Sequence, residues 1–422
     1  MERIINTRLN WLLEINNIMA NKQAGFRIHR TTNEHTAKFS QFIKDALGNK
    51  RILTAVFIDF KLAYDSVWKE NLLKLVRFGI RSNLLQWLES FISNRAYYSK
   101  YHILQTGLPQ GAVTSCTLFN LYINDLTGEL YSISGIKCLL YADDLALWTE
   151  VDKRKAEEQT EHKLSKALTI LEEWCERNNM KINTSKTAFQ SFSLSHKTIH
   201  PRLRYKGTAL SQSNEFKYHG QIFHNKINWK NRIDKIASRV SKRTNVLRRL
   251  AGSKWGCALS TLTLTYQKYI LPVLTYSREP LVTAQPHRLK MLEHAQNQAL
   301  RPITGAMKTT PIDAMTFTTG NKPIQELIKE KAVLLHEKLL RIPGDQYWKT
   351  YENRLRNLKT QNGFIQKVTE IKSELEIKSQ PQPLHQRRNP VDVEQGECYI
   401  HLQQNILKGE TGTNLGTWLW KQ

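Results

Sequence analysis

Acidic residues are scarce in this chain. Asp and Glu number 37 against 62 Lys and Arg over 422 residues, a formal net charge of +25. That imbalance is silent about fold but draws polyanions, of which nucleic acid is the commonest large one. A merely soluble basic protein is the plainer reading of the same number. Cysteine is also rare. The five, Cys116, Cys138, Cys175, Cys257 and Cys398, are odd in number, and no two stand at the short spacing of a zinc site. A zinc finger or knuckle and a disulfide framework are therefore not expected, which favours a reducing compartment. No apolar run approaches the ~20 residues of a membrane helix. No apolar signal segment follows Met1-Glu2-Arg3, and no internal repeat is evident. Membrane, secreted and collagen-like readings are set aside.

What is present suits a folded protein. Hydrophobic residues make up 40% of the chain, with 10 Trp, 15 Tyr and 14 Phe, enough for a sizeable core. At roughly 150 residues per domain, the length predicts about two to three domains.

Residues 1–20 carry apolar positions at helical spacing. Residues 52–58, Ile-Leu-Thr-Ala-Val-Phe-Ile, form a continuous β-prone run that ends at Asp59. Such a run suits a strand buried on both faces. Helices are predicted over 68–92 and 117–130. Residues 136–148 read as a hairpin with Ala142-Asp143-Asp144 at its tip. Residues 155–178 form an amphipathic helix on Leu164, Ala167, Leu168, Leu171 and Trp174. Strands are expected near 187–194 and 215–223, then mainly helix from 229 to 345. Residues 379–391 are a Pro/Gln/Arg linker. The order predicts an α+β domain followed by a helical domain.

The carboxylates carry the chemistry. If the strand ending at Asp59 lies beside the hairpin, Asp59 and Asp143 face each other. Unpaired carboxylates that close repel, and a divalent cation relieves them. Acids so placed suit two Mg²⁺ ions clamping a phosphoryl transfer; each Asp reads equally as a strand or turn cap. Gly107-Leu108-Pro109-Gln110-Gly111 is a turn entering a helix, able to bring backbone N–H groups and Gln110 close to a nucleotide. Tyr64, five residues beyond Asp59, reads either as a core aromatic or as a ring lying under a nucleotide sugar.

These segments stand in a telling order. Phe57-Ile58-Asp59…Ala63-Tyr64-Asp65, Leu108-Pro109-Gln110-Gly111 and Tyr141-Ala142-Asp143-Asp144 resemble the first three palm motifs of reverse transcriptases, in the manner of the non-LTR (LINE, jockey-like) retrotransposons. Gln23-Ala24-Gly25-Phe26-Arg27 through Arg30-Thr31-Thr32 is similar to that group's fingers motif. Trp174-Cys175-Glu176…Lys186-Thr187 is similar to its fourth palm motif, and Phe216-Lys217-Tyr218-His219-Gly220 to its primer-grip turn. Leu292-Glu293…Arg301…Ala306 resembles a segment downstream of the thumb. The likeness covers roughly residues 1–345. The resemblance implies an α+β right-hand polymerase with a helical C-terminal region, acting as an RNA-directed DNA polymerase with two Mg²⁺ or Mn²⁺ ions. Its partners would be an RNA template, a DNA primer and deoxynucleoside triphosphates, with no membrane. Asp59 and Asp143 would bind both metals and Asp144 would support them. Tyr64 would be the ribose gate; Gln110 and Gly111 would approach the incoming nucleotide or template. Lys186 would protonate or neutralise the leaving pyrophosphate, unless it is a solvated lysine. Arg27 would contact a phosphate, unless it is a surface ion pair, and Asp65 reads as a helix N-cap. Tyr218 and Gly220 would hold the primer.

The chain departs from the group's pattern at several points. Tyr64 stands where Phe is usual, and His219 where an apolar residue is usual. Residues 112–116, Ala-Val-Thr-Ser-Cys, depart from the usual Ser and Pro positions. The early fingers segment, the upstream endonuclease, a downstream knuckle and an RNase H constellation are not seen. The expectation is an N-terminally truncated or decayed copy. The alternatives are a remnant that only binds nucleic acid, or a maturase-type reverse transcriptase. An element's life cycle would place it in the nucleus or cytoplasm.

Residues 226–254 hold ten basic side chains against Asp234 alone, with Ile233, Ile236, Val240 and Leu247 at helical spacing. Solvated faces usually mix both signs. The segment therefore reads as a thumb helix on which Lys230, Arg232, Lys235, Arg239, Lys242 and Arg243 track a phosphate backbone. The expected organisation is partial fingers over 1–50, palm over 51–225, thumb and helical region over 226–345, a helical extension over 346–378, and a linker and tail over 379–422.

Overall fold

The computed structural model describes residues 1–80, 82–93, 106–195, 198–252, 256–352 and 358–378. The linker and tail expected over 379–422 lie outside the described residues. Helices α1 (Glu2–Ile15) and α2 (Thr32–Gly48) precede strand β1 (Ile52–Ile58). Helices α3 (Lys69–Gly79), α4 (Ser82–Ser93), α5 (Val113–Tyr122) and α6 (Leu126–Tyr131) lead to the hairpin of β2 (Ile136–Tyr141) and β3 (Asp144–Val151). Next come α7 (Ala156–Arg177) and β4 (Ala188–Phe192). The short strands β5 (Arg204–Tyr205), β6 (Thr208–Ala209) and β7 (Ser211–Gln212) follow, then a second hairpin, β8 (Glu215–Tyr218) and β9 (Gln221–His224). The remainder is helical: α8 (Lys230–Leu250), α9 (Leu259–Thr265), α10 (Leu271–Thr275), α11 (Pro286–Thr304), α12 (Ile312–Thr319), α13 (Ile324–Arg341) and α14 (Phe364–Glu374).

One sheet, in the order β2-β3-β1-β4-β7, organises the molecule. Every residue of β1 is buried, which is why its sequence does not alternate. Its side chains nonetheless alternate between two cores. Leu53, Ala55 and Phe57 point into a cluster with Phe39 of α2 and the helices from α8 onward. Val56 and Ile58 point into a cluster with α3 to α7. The sheet is thus covered by helices on both faces, an α+β architecture.

The helical region from α8 onward shares a core with the rest of the molecule. The core from α8 to α14 is continuous with α2 and one face of the sheet: Phe39, Trp148, Ile233, Leu292, Ile328 and Phe364 belong to one buried cluster. The segment 346–378 is likewise part of the body, since Trp348, Phe364 and Val368 are buried in that same core. Hydrophobic patterning identifies each helix's apolar stripe but not which partner covers it.

A buried ion cluster adds to the tie. Arg30 contacts Glu34 at 2.5 Å and Asp345 at 3.0 Å, and Lys38 reaches Asp345 at 3.0 Å.

The helix expected over 117–130 is two helices, α5 and α6. The break sits at Asn124, which accepts from the Ala20 N–H at 2.7 Å and donates to the Ile18 carbonyl at 2.8 Å. These bonds hold the loop after α1, which ends helix α1 at Ile15 rather than near residue 20.

Candidate active site

Strands β1 and β3 are antiparallel neighbours, with Ile58 opposite Leu145. One residue further along that register, Asp59 leaves β1 where Asp144 enters β3. Tyr141 pairs with Asp144, so Ala142 and Asp143 form a two-residue turn. The tip therefore carries one acid, Asp143, and Asp144 is the first strand residue. Burial is the main cause that raises the Asp143 pKa; its own backbone N–H opposes this, and Asp144 and Asp59 add to it. A carboxylate so placed gains by accepting a cation.

The turn is strained and braced. Ala142 has φ of +54°, a left-handed value costly for a residue with a Cβ. Gln23, fully buried, accepts from the Ala142 N–H at 2.9 Å and from the Gly25 N–H at 2.8 Å. The chain around it pairs with β2, Ala24 N–H to Leu140 carbonyl and Leu140 N–H to Lys22 carbonyl, both at 3.0 Å. Asn120 of α5 donates to the Gly25 carbonyl at 2.5 Å. A Cβ at Gly25 would lie 2.3 Å from the Ala142 nitrogen. Gly25→Ala is accordingly expected to destabilise the protein by about 1–3 kcal/mol and to disturb the turn. Chemical denaturation checks it, and a change of a few tenths would refute the bracing role.

On the other side of β1, Asp59 donates its N–H to Thr187 Oγ1 at 3.2 Å and accepts from the Asn183 N–H at 2.8 Å. That docks the turn bearing Lys186 next to Asp59; the Lys186 side chain is exposed. Tyr64 stacks on Phe119 at 4.7 Å and 23°. Its pKa is raised, first by burial, then by Cys116, which it hydrogen-bonds, and by Asp143. The ring is half-buried, packed on Phe119 and close enough to Asp143 to feel its charge. The Gly107–Gly111 turn is tied to the same segment. Leu108 N–H donates to the Tyr64 carbonyl and Gly107 N–H to the Val67 carbonyl, both at 2.8 Å. Gly107 and Gly111 have φ of +97° and +86°, values that favour glycine. Gln110 donates to both Asp65 oxygens, at 3.1 and 3.2 Å. Asp65 is therefore not an N-cap, because α3 begins later, with Trp68 in that position.

The second hairpin approaches the acids from the β3 side. His219 and Gly220 form its turn, with φ of +47° and +77°. His219 Nδ1 lies 3.4 Å from Asp144 Oδ2, so the exposed Asp144 side chain has a partner outside the Asp59–Asp143 pair. Tyr218 is buried in the core. Arg232 is buried too, donating to the Gly220 and Tyr276 carbonyls. Burial, with Arg239 nearby, pulls its pKa down to about 10. Arg232 is thus a strut under the turn rather than a surface phosphate contact. Arg243 donates to the Tyr269 carbonyl and lies over the Tyr269 ring at 4.4 Å. Lys230, Lys235, Arg239 and Lys242 are exposed. Arg27 is committed elsewhere. It grips Glu14 at 2.7 and 2.6 Å and the Ala20 and Gln23 carbonyls at 2.7 and 3.0 Å. The predicted phosphate contact is therefore a brace in the fingers segment.

Sequence reasoning left Gln23, Asn120 and Thr187 without a role. Gln23 and Thr187 gave a signal, as polar residues inside motif segments. Among the described residues no group of three or more His, Cys, Asp or Glu side chains is set to hold a metal. The candidate donors are Asp59, where β1 ends, and Asp143, in the turn that enters β3, whose charges act on each other. This fits a cation such as Mg²⁺, which prefers one or two carboxylates plus substrate oxygens to a full protein cage.

A helix-covered sheet with carboxylates gathered where adjacent central strands end has the layout of a right-hand polymerase's palm. The model of the reverse transcriptase (RNA-dependent DNA polymerase) family matches residues 1–223, and the chain belongs to that family. Family membership implies use of a divalent metal. The chain is 28% identical over 317 residues to the probable RNA-directed DNA polymerase from transposon BS of Drosophila melanogaster, a match covering 72% of this chain and 34% of that protein. It is 26% identical over 356 residues to the RNA-directed DNA polymerase from mobile element jockey of Drosophila funebris, covering 80% and 38%. The chain thus spans little more than a third of the curated relatives it matches. An apo telomerase structure from Candida tropicalis overlaps 80% of this chain and 58% of its own, at 12% identity and a TM-score of 0.38. No helix among the described residues is long and apolar enough to cross a membrane.

Proposed function

We propose that the chain is the RNA-directed DNA polymerase of a non-LTR retrotransposon, adding deoxynucleotides to a primer 3′ end on an RNA template. The observation that carries this is the gathering of Asp59, Asp143 and Asp144 where β1 ends and the β2–β3 turn enters β3, within a chain of the reverse transcriptase family.

Asp59 and Asp143 would hold Mg²⁺ or Mn²⁺, two ions in the working complex. Bound there, the cations supply Lewis-acid stabilisation of the charge that develops on the transferred phosphoryl group. Asp144 supports the pair from the strand start. Tyr64, fixed against Phe119, closes the space beside Asp143 where the sugar of an incoming nucleotide would lie. Gln110, held by Asp65, presents its turn to that nucleotide or its template base. Lys186 supplies positive charge to the departing pyrophosphate. Tyr218 and Gly220 set the primer turn. Lys230, Lys235, Arg239 and Lys242 hold the duplex backbone, with Arg232 and Arg243 anchoring helix α8 behind them.

Primer extension on poly(rA)–oligo(dT) with dTTP and Mg²⁺ tests the reading. Extension is expected. Its failure, with salt-sensitive template binding retained, would leave a nucleic-acid-binding remnant. The gate has its own test. Tyr64→Val should let ribonucleotides be incorporated with little change for deoxynucleotides, and unchanged sugar selectivity would refute the role.

A further inference from the structure

The segment 292–306, which resembles a region downstream of the thumb, takes no part in the site above. It forms most of α11 and the turn after it, packed beside the last turns of α8. Between these elements opens a pocket of about 720 Å³. Arg248 and Ala251 line it from the end of α8, Arg301 and Pro302 from α11, and Ala306 and Lys308 from the chain beyond. None of its lining residues is acidic. The Arg301 Nε is buried and has no hydrogen-bond partner. Three cations therefore converge on a concave surface with no internal counter-ion, which focuses positive potential there.

We propose that this pocket binds an unpaired nucleotide in a single-stranded stretch of the bound nucleic acid. Its phosphate would sit against Arg248, Arg301 and Lys308, and its sugar and base against Ala251, Pro302 and Ala306. The inference rests on the polymerase reading. Two features of the geometry separate it from the nucleotide and duplex sites. Arg232, which holds the His219–Gly220 turn, and Arg248 are sixteen residues apart on α8, about 24 Å along its axis. The pocket is thus remote from the reacting nucleotide. At 3.6 residues per turn, Arg248 and Ala251 also lie on the opposite side of α8 from Lys235, Arg239 and Lys242, and Lys230, on their side, is about five turns away. A rigid duplex on that stripe does not reach the pocket, whereas a flexible strand leaving it does. An Arg guanidinium can stack on an unpaired base while basic neighbours hold its phosphate, and the pocket offers both.

The test is fluorescence anisotropy with the full chain. The probes are a single-stranded RNA of about 12 nucleotides and a blunt RNA–DNA hybrid of the same length, each over a series of salt concentrations. Arg248→Gln with Lys308→Gln changes exposed side chains only, so it does not depend on the half-buried Arg301. It should weaken single-strand binding about tenfold and make its salt dependence shallower by about one to two phosphates. Hybrid affinity should change less than twofold. Arg301→Gln should act in the same direction, and Arg301→Lys should recover part of the loss. Equal weakening of both probes, or of neither, would overturn the proposal. So would displacement of the RNA by a free nucleoside monophosphate as readily as by an oligonucleotide, which would make the pocket a mononucleotide site. Wild-type protein that binds the RNA but fails to extend a primer would sink the polymerase reading and leave the pocket's result standing.

Discussion

Asp143→Asn combined with Asp144→Asn is expected to reduce nucleotide incorporation at least about 10³-fold while template–primer affinity stays within about twofold. The size follows from the several kcal/mol that a bound cation contributes to phosphoryl transfer, each 1.4 kcal/mol being tenfold in rate. Asn keeps the volume of Asp and can still fill the turn, so the hairpin should persist. Neutralising the acids also removes repulsion toward a phosphate backbone, so binding has no reason to fall. Asp59→Asn should behave alike, because Asp59 and Asp143 act on each other across adjacent strand ends. Single-turnover incorporation beside a filter-binding titration reads both quantities. A parallel loss of binding would move these acids from chemistry to fold maintenance.

Asp345→Ala should be the most destabilising single change, by about 3–5 kcal/mol. Asp345 is buried and receives Lys38 at 3.0 and 3.2 Å and Arg30 at 3.0 Å. Removing it leaves two buried cations with only Glu34 to share, and breaking a buried pair from one side costs that much. Urea denaturation measures the loss. Lys38→Met with Asp345→Ala should be less harmful than the sum of the two, since one unpaired cation is then gone and Arg30 keeps Glu34 to itself. Burial opposes Asp345 ionisation, but Lys38 and Arg30 outweigh it and hold its pKa below the ordinary carboxylate value. A depressed carboxylate contributes stability that is full above its unfolded pKa, about 3.9, and is lost as pH falls through the folded value. The acid limb of the stability profile should therefore flatten in the variant. A change under about 1 kcal/mol would mean that water already serves this cluster.

The strand at 52–58, the helix at 156–177 and the hairpin around Ala142–Asp143 were legible because their patterns are local. An unbroken apolar run means burial on both faces, and a 3.6-residue stripe means one covered face. The order of the carboxylate motifs likewise located the acids. Charge patterning was less reliable for individual side chains. On α8 it marked Arg232 and Lys235 alike, yet one is a buried strut and the other is exposed. Arg27 carries the charge for a phosphate contact, but Glu14, thirteen residues away, takes it.

By itself, then, the sequence determined the family, the order of elements and the basic net charge, since each depends on residue type and short-range spacing. Tertiary structure alone decided that Gln23 and Asn120 brace a strained Ala142. It also decided that the helical half shares its core with the sheet, and that Arg248, Arg301 and Lys308 meet around one hollow. These are contacts between residues tens to hundreds of positions apart. They are set by which apolar faces cover one another and by the need to satisfy every buried polar group, and neither leaves a periodic trace in the chain.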